Sequence, residues 1–191
     1  MLSGRAVAAA AVLALVLTAC TGGDDEPDPG PKTPEVKVPE GITLTSAGST
    51  VPVGESASVV YKPENAATTV ITVQVDEVTR GKPADLEGYD LDGVAKNSVP
   101  YYVSASLRNA GPAVLVDAAV PLYGLDSGDS YFRPVDVRGQ VDGCKPLRLE
   151  GKIAKGEGSK GCLVFAVPPD RTFKSVQVRT SDLSQPVSWK P

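Results

Sequence analysis

Between residues 41 and 191 the chain carries 17 carboxylates against 16 lysines and arginines, and it has no histidine at all. That absence closes the Ser-His-Asp and Cys-His nucleophilic routes, zinc hydrolase sites and histidine-held copper or iron. Met1 is the only methionine, which removes a methionine-rich copper carrier as well. No glycine loop runs into Gly-Lys-Ser/Thr, and no GxGxxG leads from a strand into a helix, so nucleotides find no cradle. Paired carboxylates can cleave glycosides, yet nothing in their spacing singles out a pair. Ser159 and Lys160 are adjacent, and neighbouring side chains of a strand or turn diverge, which argues against a Ser-Lys dyad. Asp85, Glu87, Asp90 and Asp92 beside Gly93 offer oxygens to calcium without the twelve-residue EF-hand spacing, and a solvated loop accounts for them as well. Tyr89, Tyr101, Tyr102, Tyr123 and Tyr131 could line a carbohydrate or peptide surface. If Tyr101 and Tyr102 share a strand they face opposite ways, so one belongs to the core. The expectation is a protein that is not an enzyme, with no catalytic residues, no cofactor and no metal.

Three cysteines remain, and they divide by position. Arg5, the twelve apolar residues Ala6 to Leu17 and the small Ala19 have the layout of an export signal. Twelve residues are too few to cross about 30 Å of hydrocarbon, which needs about 20. Leu17-Thr18-Ala19-Cys20 closes the run and resembles the lipobox of bacterial lipoproteins. That resemblance implies a diacylglycerol thioether on Cys20, acylation such as palmitate, and cleavage that makes Cys20 the first residue of the mature chain. Plain secretion and a short uncleaved anchor are the alternatives, although Leu17 stands where an A-x-A cleavage site wants a small residue. Two acyl chains are the minimum for a stable hold on a membrane. Cys144 and Cys162 then lie in a compartment that permits disulfides and are expected to bridge. Closing that loop stabilises by about 3 kcal/mol in the chain-entropy model, if the Cα atoms come within about 7 Å. The rival, two free or metal-binding thiols, lacks a histidine or a close CxxC partner.

Residues 21–40 hold five prolines, and six acids against two bases, with little that is apolar. Such a stretch cannot offset its ordering entropy, so it reads as an extended stalk reaching up to about 60 Å. Its charge would hold it off anionic headgroups, or serve solubility alone. The division is a signal peptide over 1–19, lipidated Cys20 and a disordered linker over 20–40, and one β domain over 41–191. About 150 residues suffice for a single core. The domain's net charge of −1 gives no field for nucleic acid. Lys145, Arg148, Lys152, Lys155, Lys160, Arg171, Lys174 and Arg179 crowd residues 145–179, and a solvated mosaic explains them better than a polyanion-binding face.

The elements that must position these groups are strands. No helical periodicity persists for three turns after residue 41, whereas two-residue alternation recurs: Ile71, Val73, Val75; Val103, Ala105, Leu107; Val176, Val178. Apolar runs at Ala113–Val116 and Leu163–Val167 predict central strands. Turn signals at Asn109-Ala110-Gly111-Pro112, Asp126-Ser127-Gly128-Asp129 and Pro168-Pro169-Asp170 cut the chain at sandwich spacing. The glycines of 152–161 predict a turn bringing two strands together, with the disulfide near a sheet edge and Trp189 packed in or near the last strand. Residues 83–98 predict one helical turn or a long connection, and a place to look for function.

Across residues 55–189 this order is similar to the immunoglobulin-like modules of uncharacterised lipoproteins in Gram-positive and actinobacterial genomes. The resemblance rests on Val73-Gln74-Val75 leading to Gly81, on Ala84 to Leu91, and on Pro100-Tyr101-Tyr102-Val103-Ser104 running into Asn109-Ala110-Gly111-Pro112. Cys144, Gly158 to Phe165 and Val187-Ser188-Trp189 complete it. It implies an all-β, immunoglobulin-like antiparallel β-sandwich at the extracytoplasmic face of the cell membrane, and carries no functional residues over. The expected partners are the membrane, through the lipid anchor, and an envelope protein or carbohydrate, with no nucleic acid. A small-ligand carrier serving a membrane transporter, or a structural spacer of the envelope, are the other readings.

Overall fold

Alternation along the longest strands decides the architecture. In β3 (Thr69–Arg80) and β4 (Val99–Asn109) the register sets Val73 opposite Leu107 and Val75 opposite Ala105, so all four side chains share one dry face. The computed structural model describes residues 36–191 apart from 65, 90, 92, 93, 95, 96, 138–140 and 182. The expected signal peptide, Cys20 and most of the linker lie outside the described residues.

β2 (Ser56–Tyr61), β3, β4 and β9 (Gly158–Val167) form a four-stranded sheet in the order β2-β3-β4-β9. A five-stranded sheet has the order β1 (Thr50–Pro52), β11 (Val187–Lys190), β10 (Phe173–Val178), β6 (Leu122–Asp126), β7 (Tyr131–Phe132), in which β1 and β11 run parallel. β5 (Leu115–Ala118) and β8 (Leu149–Ile153) make a separate ribbon. The fold is all-β, an immunoglobulin-like antiparallel β-sandwich. Among the described residues the one helical piece is a 3-10 turn at Pro83–Leu86, where residues 83–98 were expected to hold one.

Val59, Ile71, Val103 and Phe165 of one sheet meet Leu122, Val176, Val178 and Trp189 of the other in the main core. Trp189 is fully buried in the last strand, and its Nε1–H donates to the Glu55 carbonyl at 3.0 Å. Phe132, Phe165, Phe173 and Tyr101 gather at one end of this core, Tyr101 stacked on Phe173 at 4.7 Å. Gly124 lies among the three phenylalanines, and a Cβ there would come within 3.0 Å of each. A second cluster covers the outer face of the four-stranded sheet: Val141, Cys144, Cys162 and Val164, with Leu86, Tyr89 and Tyr102 against it. Tyr101 and Tyr102 do face opposite ways, and each packs into its own cluster.

Three expectations need correction. Ala113–Val116 is no central strand: β5 belongs to the ribbon, and Val114 and Val116 are 43% and 47% exposed. Leu163–Val167 contributes fully buried side chains, yet β9 is the outermost strand of its sheet. The turn between β8 and β9 exists, but those strands pair with β5 and β4 and not with each other. The errors share a source, because neither an apolar run nor a glycine-rich turn reports which strand supplies the neighbouring backbone. Gln177, between Val176 and Val178 in β10, is 6% exposed and accepts a hydrogen bond from Arg179.

Candidate functional site

After β7 the chain leaves the five-stranded sheet and crosses to the far edge of the other sheet before entering β8. Pro134 and Pro146 have no N–H to give a ladder, which keeps this crossing from extending into a regular strand. It touches β9 at a few points only. The Val135 N–H donates to the Val164 carbonyl at 2.8 Å, the Cys162 N–H to Lys145 at 2.7 Å, and the Leu147 N–H to Cys162 at 3.0 Å. These bonds satisfy part of an edge that would otherwise stand open. The approach is close enough that a Cβ at Gly161 would lie 2.6 Å from the Leu147 backbone. Cys144 and Cys162 form a disulfide, with Cα atoms 5.1 Å apart, that ties the crossing to β9 at the sheet edge. It lies on the outer face of the sheet, in the second cluster, and does not bridge the two sheets.

Between this crossing and the link from β5 to β6 lies a cleft of about 430 Å³. Its walls are mainly apolar: Val120, Val135, Val137, Leu147 and Leu163 contribute, as do both disulfide cysteines. The size falls within the range of small-ligand pockets, roughly 300–1,000 Å³. Tyr61 fixes one wall from below, its hydroxyl donating to the Ala119 carbonyl at 2.7 Å. Burial pushes the Tyr61 pKa up, with Tyr123 and Glu64 adding to the rise.

Five charged side chains reach the lining. Arg148 is held by Glu150 at 3.3 Å and Asp136 at 3.7 Å, in a group that is more than half exposed. The Asp117 carboxylate accepts from the Gly151 N–H at 2.7 Å. Arg133 has no carboxylate within ion-pair distance among the described residues; its guanidinium lies over the Tyr123 ring, 5.6 Å from the centroid. The arrangement offers a bound molecule apolar contact along its body and a cation at one end.

The residues singled out from the sequence scatter. Asp85 accepts from the Lys82 N–H at 2.8 Å within its own 3-10 turn, while Asp90, Asp92 and Gly93 lie outside the described residues. Lys160 reaches Asp76 at 3.2 Å, and Ser159 alternates to the other side of β9. Of the crowded cations, Arg148, Lys160, Arg171 and Lys174 have carboxylate partners, as a charge mosaic would. The tyrosines divide: Tyr123 lines the cleft, Tyr131 meets the Tyr123 ring edge-on, and Tyr102 packs with Tyr89 in the second cluster, which also holds Val135 and Val137 of the cleft wall. Burial pushes the Tyr102 pKa up, and Asp85 and Tyr89 add to it.

Residues 133–148 were not marked as functional, although a connection of this length punctuated by Pro134 and Pro146 is itself a signal. The attention given to 83–98 fell on a segment whose Leu86 and Tyr89 pack on the outer face of the sheet.

No protein-family model matches the chain, and no curated protein matches it in sequence. Among solved structures, a secreted protein of Mycobacterium tuberculosis, MPT63, aligns with 74% of this chain and 96% of its own, at 14% identity and a TM-score of 0.47. It assigns no residue of this chain a role.

Proposed function

We propose that this is a lipoprotein anchored through Cys20 at the extracytoplasmic face of the cell membrane, whose non-catalytic β-sandwich binds an envelope ligand in the cleft beneath residues 133–137 and 141–148. The single observation that carries the binding role is the cleft itself, an apolar concavity of about 430 Å³ built on a disulfide-tied wall. The location is supported by Leu17-Thr18-Ala19-Cys20 and by the disulfide, since such bonds persist in oxidising compartments. Among the described residues no helix is long and apolar enough to cross a membrane. The division into signal over 1–19, linker over 20–40 and domain over 41–191 belongs to this reading. Envelope protein and carbohydrate are both admissible partners, and nucleic acid is not expected at this charge.

Two measurements test it. Mass spectrometry of the mature N-terminus is expected to find a diacylated Cys20; an unmodified terminus elsewhere would remove the anchor. A photo-crosslinker at Val137 in native membranes is expected to capture an envelope component that a crosslinker at exposed Glu64 does not capture. Equal capture from both positions would deny the cleft a role. The cleft volume also favours a second reading, a carrier that presents a small ligand to a membrane transporter.

A further inference from the structure

We infer that the cleft takes a free amphipathic carboxylate, with its apolar body against Val120, Val135, Val137 and Leu147 and its carboxylate on Arg133. This rests on the cleft being the binding site, and it adds the chemistry of the occupant.

Arg133 is the basis. The other lining charges are engaged: Arg148 with Glu150 and Asp136, and Asp117 with the Gly151 N–H. Arg133 has only the Tyr123 ring beside it among the described residues. A guanidinium 5.6 Å from a ring centroid keeps its N–H groups available, and these match a carboxylate with two parallel hydrogen bonds. The ring also restrains the side chain, so less rotamer freedom is lost when a ligand arrives. The charged groups of the lining other than Arg133 are engaged within the protein, and the side chains of Val120, Val135, Val137 and Leu147 offer a ligand no hydrogen bond. An alkyl or aryl body is what they can hold. A low-dielectric wall on one side also strengthens the attraction between the guanidinium and an anion.

The test uses the full mature chain in phosphatidylcholine nanodiscs, with empty nanodiscs subtracted, and equilibrium dialysis of hexanoate, octanoate and the matched 1-alkanols. Octanoate is expected to bind about fifteenfold more tightly than hexanoate, the effect of two buried methylenes. Arg133→Gln is expected to weaken octanoate about tenfold and leave 1-octanol unchanged. Ala119→Trp, at an exposed position of the lining, is expected to abolish both. Equal binding of octanoate and 1-octanol, or an Arg133→Gln variant that holds octanoate as tightly, would overturn the carboxylate and leave the cleft intact as a site. No binding of either probe by a chain that keeps its buried Trp189 emission would also overturn the proposal, while crosslinking from Val137 decides separately whether the cleft binds anything. Arg133-dependent adhesion to phosphatidylglycerol nanodiscs without octanoate binding would place the anion in the membrane and overturn the free ligand.

Discussion

Asp126 does more structural work than any other carboxylate described. Its Oδ1 accepts from the N–H groups of Gly128 and Ser130 at 2.8 and 3.1 Å, and its Oδ2 accepts from Arg171 at 2.9 Å. Burial alone pushes its pKa up, but the hydrogen bonds from Ser130, Arg171 and Gly128 and the Arg171 charge outweigh it, and the pKa falls below the ordinary 3.8. A depressed folded-state pKa contributes stability that is fully present above the unfolded value and is lost as pH drops through the folded one. Asp126→Ala is therefore expected to cost about 2–3 kcal/mol at neutral pH in urea titrations. The gap between variant and parent should narrow below pH 3.8, and a gap that stays constant would reject this assignment. The Asp126-Ser127-Gly128-Asp129 turn was legible from its residue types. Its partner Arg171, 45 positions on, was not, because an ion pair between a hairpin turn and the connection from β9 to β10 leaves no local pattern. Asn109 is similar: it was read as part of a turn, and the fold buries it with hydrogen bonds to Thr69, Ala113 and Ile153.

At the scale of elements, the described part of the crossing between β7 and β8 is held to β9 by three backbone hydrogen bonds and one covalent link. Replacing both cysteines, Cys144→Ser with Cys162→Ser, closes no loop of 18 residues and is expected to lower stability by about 3 kcal/mol in the chain-entropy model. Hydrogen exchange should localise the effect. The Leu147 and Cys162 amides, bonded across the contact, are expected to lose protection, while those within the β3–β4 pairing keep it. Uniform loss through both sheets would mean that the disulfide supports the whole sandwich and not this wall. The two cysteines and the edge position were readable from counting and compartment. The crossing was not, since the alternation of Val135, Val137 and Val141 reports a strand-like face and not where it docks, which the edge of β9 and the absence of a Cβ at Gly161 decide.

For the whole molecule, both sheets depend on Trp189. It is fully buried in β11, and β11 connects β1 to β10. Trp189→Ala is expected to cost about 3–5 kcal/mol, a large part of the usual stability of a single domain, and Trp189→Phe much less. Because it is the only tryptophan, its emission follows the core directly; a red-shifted spectrum in the native protein would contradict this packing. The sequence alone determined that the domain is a sandwich of strands, because alternating valines and leucines make a two-sided ribbon that must bury one face. It also determined which cysteines pair, since one pair is all the domain contains. Tertiary structure alone decided which strands lie at the edges and that a cleft opens beside β9, because backbone pairing and concavity arise between residues far apart in the chain. The bare cation at Arg133 emerged the same way: only the folded arrangement gives Arg148 its carboxylates and leaves Arg133 with a ring.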